Sequence, residues 1–162
     1  MLNNFTKNLK LSSAIGEKYC EFESKINGVI YYMGKNNMGI KTIRLNFNKS
    51  GGSFEYTNKQ GKKEIFFGRC ENVFGVFPQE GYSNKTGSQI TKNFYYKCAC
   101  SAAWIEPQKL FLKVQITDKY FGRLNITFGF RSNYVGVYMT KCAENFLDEY
   151  NGFAGGKCSE LI

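Results

Sequence analysis

The stretch that decides the fold is residues 104–156, WIEPQKLFLKVQITDKYFGRLNITFGFRSNYVGVYMTKCAENFLDEYNGFAGG. Within it, residues 110–117, 124–131 and 134–139 each alternate apolar and polar side chains, the period of a β-strand that buries one face. Short polar links separate these runs, and such links join antiparallel neighbours. The stretch therefore predicts a three-stranded antiparallel meander with one dry face. The apolar positions are Leu110, Leu112, Val114, Ile116, Leu124, Ile126, Phe128, Phe130, Val135, Val137 and Met139.

The hydrophobic period changes after the third strand. Four apolar residues between Ala143 and Tyr150 lie at i, i+3, i+4 and i+7, which is the spacing of one helix face. Gly152 follows, and glycine adopts the left-handed C-terminal cap of a helix at the lowest cost. The pattern predicts one short amphipathic helix near residues 142–151 that closes the meander.

Upstream of the meander, glycine and asparagine turns separate further short apolar or alternating runs. The pattern weakens only between Gly68 and Gln89, which is predicted as the longest irregular stretch. About eight or nine strands at this spacing predict an all-β antiparallel fold, either a closed or strongly bent barrel or a sandwich. The strands before the meander are predicted near residues 18–22, 28–33, 40–47, 53–57, 64–67 and 92–105.

Length and composition favour one domain. A chain of 162 residues buries enough surface for a real core. Fifteen Phe, eleven Tyr and seventeen Gly against two Pro suit β-structure with glycine turns. Residues 1–16 are polar and are predicted to be an entry segment or linker, and residues 17–158 a single barrel domain. Trp104, Phe128 and Phe130, with Tyr150, are the residues expected to contribute most to stability.

The residue inventory argues against an enzyme. The chain has no histidine, so it lacks the commonest general base and metal ligand. No Ser-x-x-Lys nucleophile motif occurs. Cys98 and Cys100 share one strand face, but a structural zinc site needs four ligands and the other cysteines are scattered. We therefore predict no catalytic residue, no metal and no cofactor.

Net charge and cysteine content limit which partners and which cellular compartment are expected. The formal net charge is +9, yet no basic cluster exceeds the pair Lys62-Lys63, which argues against a nucleic-acid groove. No long apolar segment or secretion signal is present, so no membrane association is expected. The six cysteines are expected to be reduced thiols in a cytoplasmic protein.

A ligand site, if present, is predicted at the mouth of the barrel, near Tyr31, Tyr32, Tyr95 and Tyr120. A barrel of about eight strands leaves room for side chains or for one small apolar or aromatic ligand. Such a ligand requires a cavity lined by Phe and Tyr instead of a filled core. A single-stranded nucleic-acid binder, the third hypothesis, requires clustered Lys and Arg beside exposed aromatic residues.

Several stretches form a sequence pattern more specific than the apolar–polar alternation of a β-strand. They are residues 37–47, 52–61, 65–68, 75–78, 104, 118–122, 126–130 and 135–137, and above all residues 143–156, AENFLDEYNGFAGG. Together they resemble the C-terminal domain of bacterial β-lactamase-related serine hydrolases, of the class C or penicillin-binding-protein-like type. The resemblance covers about residues 17–156.

This resemblance implies a lipocalin-like β-barrel that follows a catalytic domain in the family. Because the Ser-x-x-Lys catalytic domain is absent from these 162 residues, no hydrolase activity is carried over. The expected function is that of a non-catalytic accessory domain, which packs on or modulates a catalytic serine-hydrolase domain of the same or a separate chain.

Overall fold

The computed structural model describes residues 10–82, 90–118, 122–142 and 148–159, and it confirms the all-β prediction. Helical structure in these residues is limited to α1 (Glu23–Ile26) and a 3-10 turn at Asp148–Tyr150. The strands are β1 (Ile30–Met33), β2 (Thr42–Phe47), β3 (Gly51–Asn58), β4 (Gly61–Arg69), β5 (Val73–Tyr82), β6 (Ile90–Glu106), β7 (Lys109–Ile116), β8 (Gly122–Arg131), β9 (Tyr134–Cys142) and β10 (Gly152–Lys157).

Nine of these strands close into a barrel. Their neighbour order is β4-β3-β2-β1-β10-β9-β8-β7-β6, and β6 returns to β4 through a short parallel pairing at Gly68 with Ser101 and at Arg69 with Ala102. Strand β5 lies outside the circuit and pairs only with β6 among the described strands. The described residues thus form ten strands, nine of them in the barrel, where the sequence predicted about eight or nine in all.

The meander is present as predicted. Strand β8 pairs antiparallel with β7 on one side and with β9 on the other. Every apolar position named for its dry face is buried, with at most 5% of the side chain exposed. Alternation with period two thus identified both the strands and the face that points into the barrel.

Aromatic rings fill the interior from wall to wall. Phe54 on β3 and Phe128 on β8 come from opposite sides of the barrel, and their ring centroids are 4.9 Å apart in an edge contact. Trp104 and Phe130 are in ring contact at 6.3 Å. Tyr150 contacts Tyr56 and, like the other three residues expected to stabilise the fold, is buried. These ring contacts cross the barrel interior between strands on opposite sides.

A buried ion pair, Arg69 with Glu23, holds α1 against one end of the barrel. The guanidinium of Arg69 donates two hydrogen bonds to the Glu23 carboxylate, at 2.6 and 2.8 Å. The indole N–H of Trp104 donates to the same carboxylate at 2.7 Å. These three residues form what we call the latch.

The predicted first strand, residues 18–22, is wrong. These residues form a turn that leads into α1, and only Glu17 makes a bridge, to Trp104. The alternation has another origin, because the ring of Tyr19 lies 4.5 Å from the Arg69 guanidinium in a cation–π contact. The apparent strand pattern therefore reflects packing around the latch.

Two strands were missed. Strand β5 lies within the stretch 68–89 that was predicted to be irregular, and its pairing with β6 contains register shifts that blur the alternation. Strand β10 begins at Gly152, which was predicted to be a helix cap, and it pairs with both β9 and β1. Most of the predicted helix, residues 143–147, lies outside the described residues, and the described part is the 3-10 turn.

The segment before α1 lies on the outside of the barrel. The backbone N–H of Ala14 donates to Ser101 Oγ at 2.8 Å, and the amide of Gln115 donates to the Ser12 carbonyl at 2.8 Å. Ala14 is buried. This segment covers the outer faces of β6 and β7, whereas the outer faces of β9, β10 and β1 carry exposed aromatic residues.

Candidate binding groove

The floor of an open groove is a row of glycines that crosses three neighbouring strands. Gly129 on β8 pairs with Gly136 on β9, which pairs with Gly155 on β10. The N–H of Gly34 donates to the carbonyl of Gly155 at 2.8 Å and extends the line towards β1. A Cβ added at Gly129 would meet no atom within 4 Å. We call Gly129, Gly136 and Gly155 the glycine row.

One wall of the groove is a second row, in which cations and tyrosines alternate. Arg131 on β8 pairs with Tyr134 on β9, Tyr134 with Lys157 on β10, and Lys157 with Tyr32 on β1. Each residue lies two positions along its strand from the glycine line, so all four side chains share the outer face. We call these four residues the cation–tyrosine row.

On the opposite side of the glycine row Phe153 lines the groove, and Tyr138, its partner across β9 and β10, lies beside it on the same outer face, just beyond the lining. The Phe153 ring leans over the floor, because a Cβ on Gly136 would lie 3.2 Å from it. Aromatic side chains commonly cover glycines of a neighbouring strand in this way. Tyr32, Tyr134, Tyr138 and Phe153 are nevertheless 54% to 61% exposed.

The charges along the groove are positive on balance. Among the described residues, no ion pair is formed by Arg131 or Lys157. At the β7 end, Lys109 binds Glu106 at 2.6 Å and neutralises it. Two cations are thus available to a ligand, while the one carboxylate that lines the groove is already paired.

The geometry suits binding more than catalysis. The groove has a volume of about 910 Å³ and is lined by residues of β1 and β7–β10 and of the loops beside them. Glycines bring the sheet backbone close to any occupant, and tyrosine and arginine side chains are the types enriched at protein interfaces. We call both rows together with Tyr138 and Phe153 the groove face.

The structure separates the four tyrosines that were predicted to share a site. Tyr32 lies in the groove, but its neighbour Tyr31 points into the core and is 2% exposed. Tyr95 lines a different, polar pocket of about 480 Å³ beside Lys63. Tyr120 lies outside the described residues. Of the predicted set, only Tyr32 belongs to the groove face.

Tyr31 is a buried group without a partner. Its hydroxyl has no hydrogen-bond partner among the described residues. Burial, with a smaller contribution from nearby Cys158, raises the pKa of Tyr31 to about 12. Since this pKa exceeds that of a tyrosine in the unfolded chain, the free energy of unfolding falls as the pH rises from about 10 to about 12.

Tyr31→Phe is expected to raise the free energy of unfolding by about 1 kcal/mol at pH 7, because it removes a buried unpaired hydroxyl. It should also reduce the loss of stability between pH 10 and 12. Urea unfolding followed by circular dichroism, at pH 7 and pH 11, measures both effects. Tyr32→Phe, at the exposed neighbouring position, is the control. A loss of stability on Tyr31→Phe at pH 7 would show that the hydroxyl has a favourable partner.

A chain of hydrogen-bonded polar groups links β3, β4 and β5 to the 3-10 turn. The hydroxyls of Tyr56 and Tyr150 are 2.7 Å apart, and Tyr150 donates to Gln79 Oε1 at 3.4 Å. Lys63 donates to the same oxygen and, at 3.0 Å, to the carbonyl of Pro78. Burial raises the pKa of both tyrosines and lowers the pKa of Lys63. These contacts satisfy buried polar groups and therefore serve the fold.

The paired thiols of β6 lie inside the barrel. Cys100 Sγ donates to Cys98 Sγ at 3.6 Å, and this hydrogen bond lowers the pKa of Cys98 and raises that of Cys100. Both thiols are buried. In the part of the chain that the structure describes, no three His, Cys, Asp or Glu side chains form a group that could hold a metal ion.

The glycine row was not recognised from the sequence. Its members lie in strands that were predicted, within Phe128-Gly129-Phe130 and Val135-Gly136-Val137. A usable signal was present, since a glycine between two core residues of a strand must face outward. The lateral alignment of three such glycines depends on strand register and on β10, which the pattern missed.

No protein-family model matches the sequence, and no curated protein matches it. Within the described residues, no helix has the length and apolar character needed to cross a membrane.

Proposed function

We propose that this chain is a non-catalytic accessory domain that docks on a catalytic serine-hydrolase domain through its groove face. The observation that carries the proposal is the gathering of four large, more than half-exposed aromatic side chains on one outer face of the barrel. Exposed aromatic residues beside arginine are typical of the residues that dominate binding energy at protein interfaces.

Three further features support an outer docking role. Aromatic rings contact one another across the interior, which favours binding at the surface over binding inside the barrel. The groove lies on the outer face of strands that are hydrogen-bonded to neighbours on both sides, so its side chains stand on regular sheet backbone. The all-β barrel is also the architecture that the resemblance to serine-hydrolase C-terminal domains implies. The proposal places the protein in the cytoplasm, where its thiols would remain reduced.

The test begins with the gene. A catalytic domain with a Ser-x-x-Lys motif is expected upstream in the same reading frame or in a neighbouring gene. The purified barrel and that domain should form a complex in isothermal titration calorimetry. Tyr138→Ala combined with Phe153→Ala is expected to weaken the complex by about thirtyfold or more, because a single hot-spot aromatic residue contributes about 2 kcal/mol or more and each 1.4 kcal/mol is tenfold in affinity.

Phe66 and Phe74 provide matched controls. Phe66 is 62% exposed on β4, on the opposite side of the barrel, and Phe74 is 71% exposed on β5. Alanine at either position should leave the affinity unchanged. The proposal is overturned if no such catalytic domain is encoded, if the two proteins do not bind, or if Phe66→Ala or Phe74→Ala weakens binding as much as the groove variants.

A further inference from the structure

We infer that the groove recognises an acidic, extended segment of its partner, in polyproline II conformation with two carboxylates three residues apart. This inference rests on the proposed docking function and specifies the chemistry of the surface that docks. It follows from the spacing of the two cations, from the tyrosines between and beside them, and from the floor of glycines.

The backbone spacing of the two cationic residues favours one conformation of the occupant. Arg131 on β8 and Lys157 on β10 flank Tyr134 on β9, so their backbones are two strand spacings, or about 9.5 Å, apart. A polyproline II helix has three residues per turn and rises about 3.1 Å per residue, which places residues i and i+3 on one side about 9.3 Å apart. In a β-strand, residues on one side repeat at about 6.7 Å or 13 Å, which fits less well.

The remaining side chains of the groove suit the same occupant. Tyr134 and Tyr32 alternate with the cations, and grooves lined by aromatic residues bind polyproline II segments. The glycine row leaves room for a prolyl ring at its Gly129 end, where the space is open, whereas the Phe153 ring covers Gly136. Strands β8, β9 and β10 are already paired on both sides, so the occupant crosses the strands and is held by side chains.

The charges favour carboxylates over a nucleic-acid strand. A single strand carries a phosphate on every nucleotide, and proteins bind it with a groove of many positive charges. Here two cations are available and Glu106 lies at one end of the groove. The planar fork of Arg131 matches the two oxygens of a carboxylate. An acidic peptide therefore fits the groove better than an oligonucleotide.

The probe is a fluorescein-labelled peptide, Pro-Pro-Glu-Pro-Pro-Glu-Pro-Pro, titrated with the full chain in a fluorescence anisotropy assay. Saturable binding is expected. A peptide of the same composition with its glutamates five residues apart, Pro-Glu-Pro-Pro-Pro-Pro-Glu-Pro, should bind about fivefold to tenfold more weakly, because it can satisfy only one cation at a time.

Two variants test the site itself. Arg131→Glu with Lys157→Glu reverses both cations and should weaken binding by about tenfold or more. Gly129→Leu fills the floor without a clash in the free protein, because nothing lies near the added side chain, and should weaken binding similarly. The matched controls, Lys49→Glu with Lys59→Glu and Gly75→Leu, change the same charge or an equally open glycine elsewhere and should bind like the wild type.

The inference is overturned if the matched peptide does not bind, if both peptides bind equally, or if the control variants lose as much affinity as the groove variants. It is also overturned, in favour of nucleic acid, if an eight-nucleotide oligothymidylate binds the groove more tightly than the peptide. If the catalytic domain binds the barrel but the peptide neither binds nor competes, docking stands and this inference fails. If the peptide binds and the catalytic domain does not, the docking proposal fails instead.

Discussion

Glu23→Ala is expected to lower the free energy of unfolding by about 3–5 kcal/mol, the range found when one partner of a buried ion pair is removed. The Arg69 and Glu23 side chains are only 8% and 14% exposed. Truncation of Glu23 leaves the guanidinium in a site where water cannot replace the lost carboxylate. It also removes the acceptor for the indole N–H of Trp104.

The geometry around Arg69 explains why the loss should be large. A guanidinium has five N–H donors, and all five donors of Arg69 have acceptors in or beside the latch. Two donate to Glu23, two to the carbonyl of Asn48 and one to the carbonyl of Lys18. The aromatic ring of Phe47 lies 5.7 Å from the same guanidinium. Arg69 lies on β4 and donates to the carbonyl of Lys18, in the segment before α1. Loss of its ion pair with Glu23 should therefore also loosen the contact of α1 with the end of the barrel.

Urea unfolding followed by far-ultraviolet circular dichroism measures this effect. Glu106→Ala is the matched control, since it breaks a carboxylate–ammonium pair of similar length whose partners are 61% and 39% exposed. Exposed pairs contribute about 0–1 kcal/mol, so the control should change stability little. A loss below about 1 kcal/mol for Glu23→Ala would show that the latch contributes no more than a surface pair.

A double replacement separates packing from charge. Glu23→Leu with Arg69→Met removes both charges and keeps apolar volume at the barrel end. It should be less destabilising than Glu23→Ala alone, since no buried charge is left unpaired. If the double variant is the less stable one, the hydrogen bonds of the latch, and not the unpaired charge, determine its contribution.

The parts of the fold that could be predicted are those in which side-chain burial follows the backbone period. The meander of β7, β8 and β9 alternates because one face is inside the barrel and the other is in solvent. Strand β10 lacks that signal, since three of its six residues are glycine and its pairing depends on backbone hydrogen bonds to β9 and β1. Pairing of this kind leaves no periodicity in the sequence.

The latch was unpredictable for a related reason. Glu23 and Arg69 are 46 residues apart in the chain, and nothing in their local sequence marks either as buried. The default interpretation of a charged residue is a solvated one. Only the closure of β4 on β6, next to Trp104, brings the pair together and removes it from water.

The groove face was partly predictable. Tyr32 was among the proposed site residues, but the basic residues were interpreted as scattered because no basic cluster exceeds the pair Lys62-Lys63. The alignment of Arg131, Tyr134 and Lys157 depends on register between strands that are separated by loops of different lengths. Register is set by three-dimensional pairing, so charges that look scattered in the sequence can form one row.

Phe128→Ala is expected to lower the free energy of unfolding by about 3–5 kcal/mol, the range for loss of a fully buried phenylalanine side chain. Phe128 is 0% exposed, and its ring contacts Phe54 from the opposite wall. Its removal leaves a cavity in the middle of the barrel that neighbouring strands, held by hydrogen bonds on both sides, cannot close. Urea unfolding measures the loss, and Phe66→Ala, at an exposed position, should stay within about 0.5 kcal/mol of the wild type.

The same position tests what the interior is for. If the rings form one packed unit, a double-mutant cycle of Phe128→Ala and Phe54→Ala should give a coupling energy of about 0.5–1.5 kcal/mol, as found for aromatic pairs in contact. If the barrel were built to hold a ligand, truncation of Phe128 would be tolerated because the interior would already contain space. A loss below about 1 kcal/mol would therefore reopen the internal-ligand hypothesis. A measured loss of about 3–5 kcal/mol would support a packed interior. Binding would then have to take place on the outer surface, where the groove face lies.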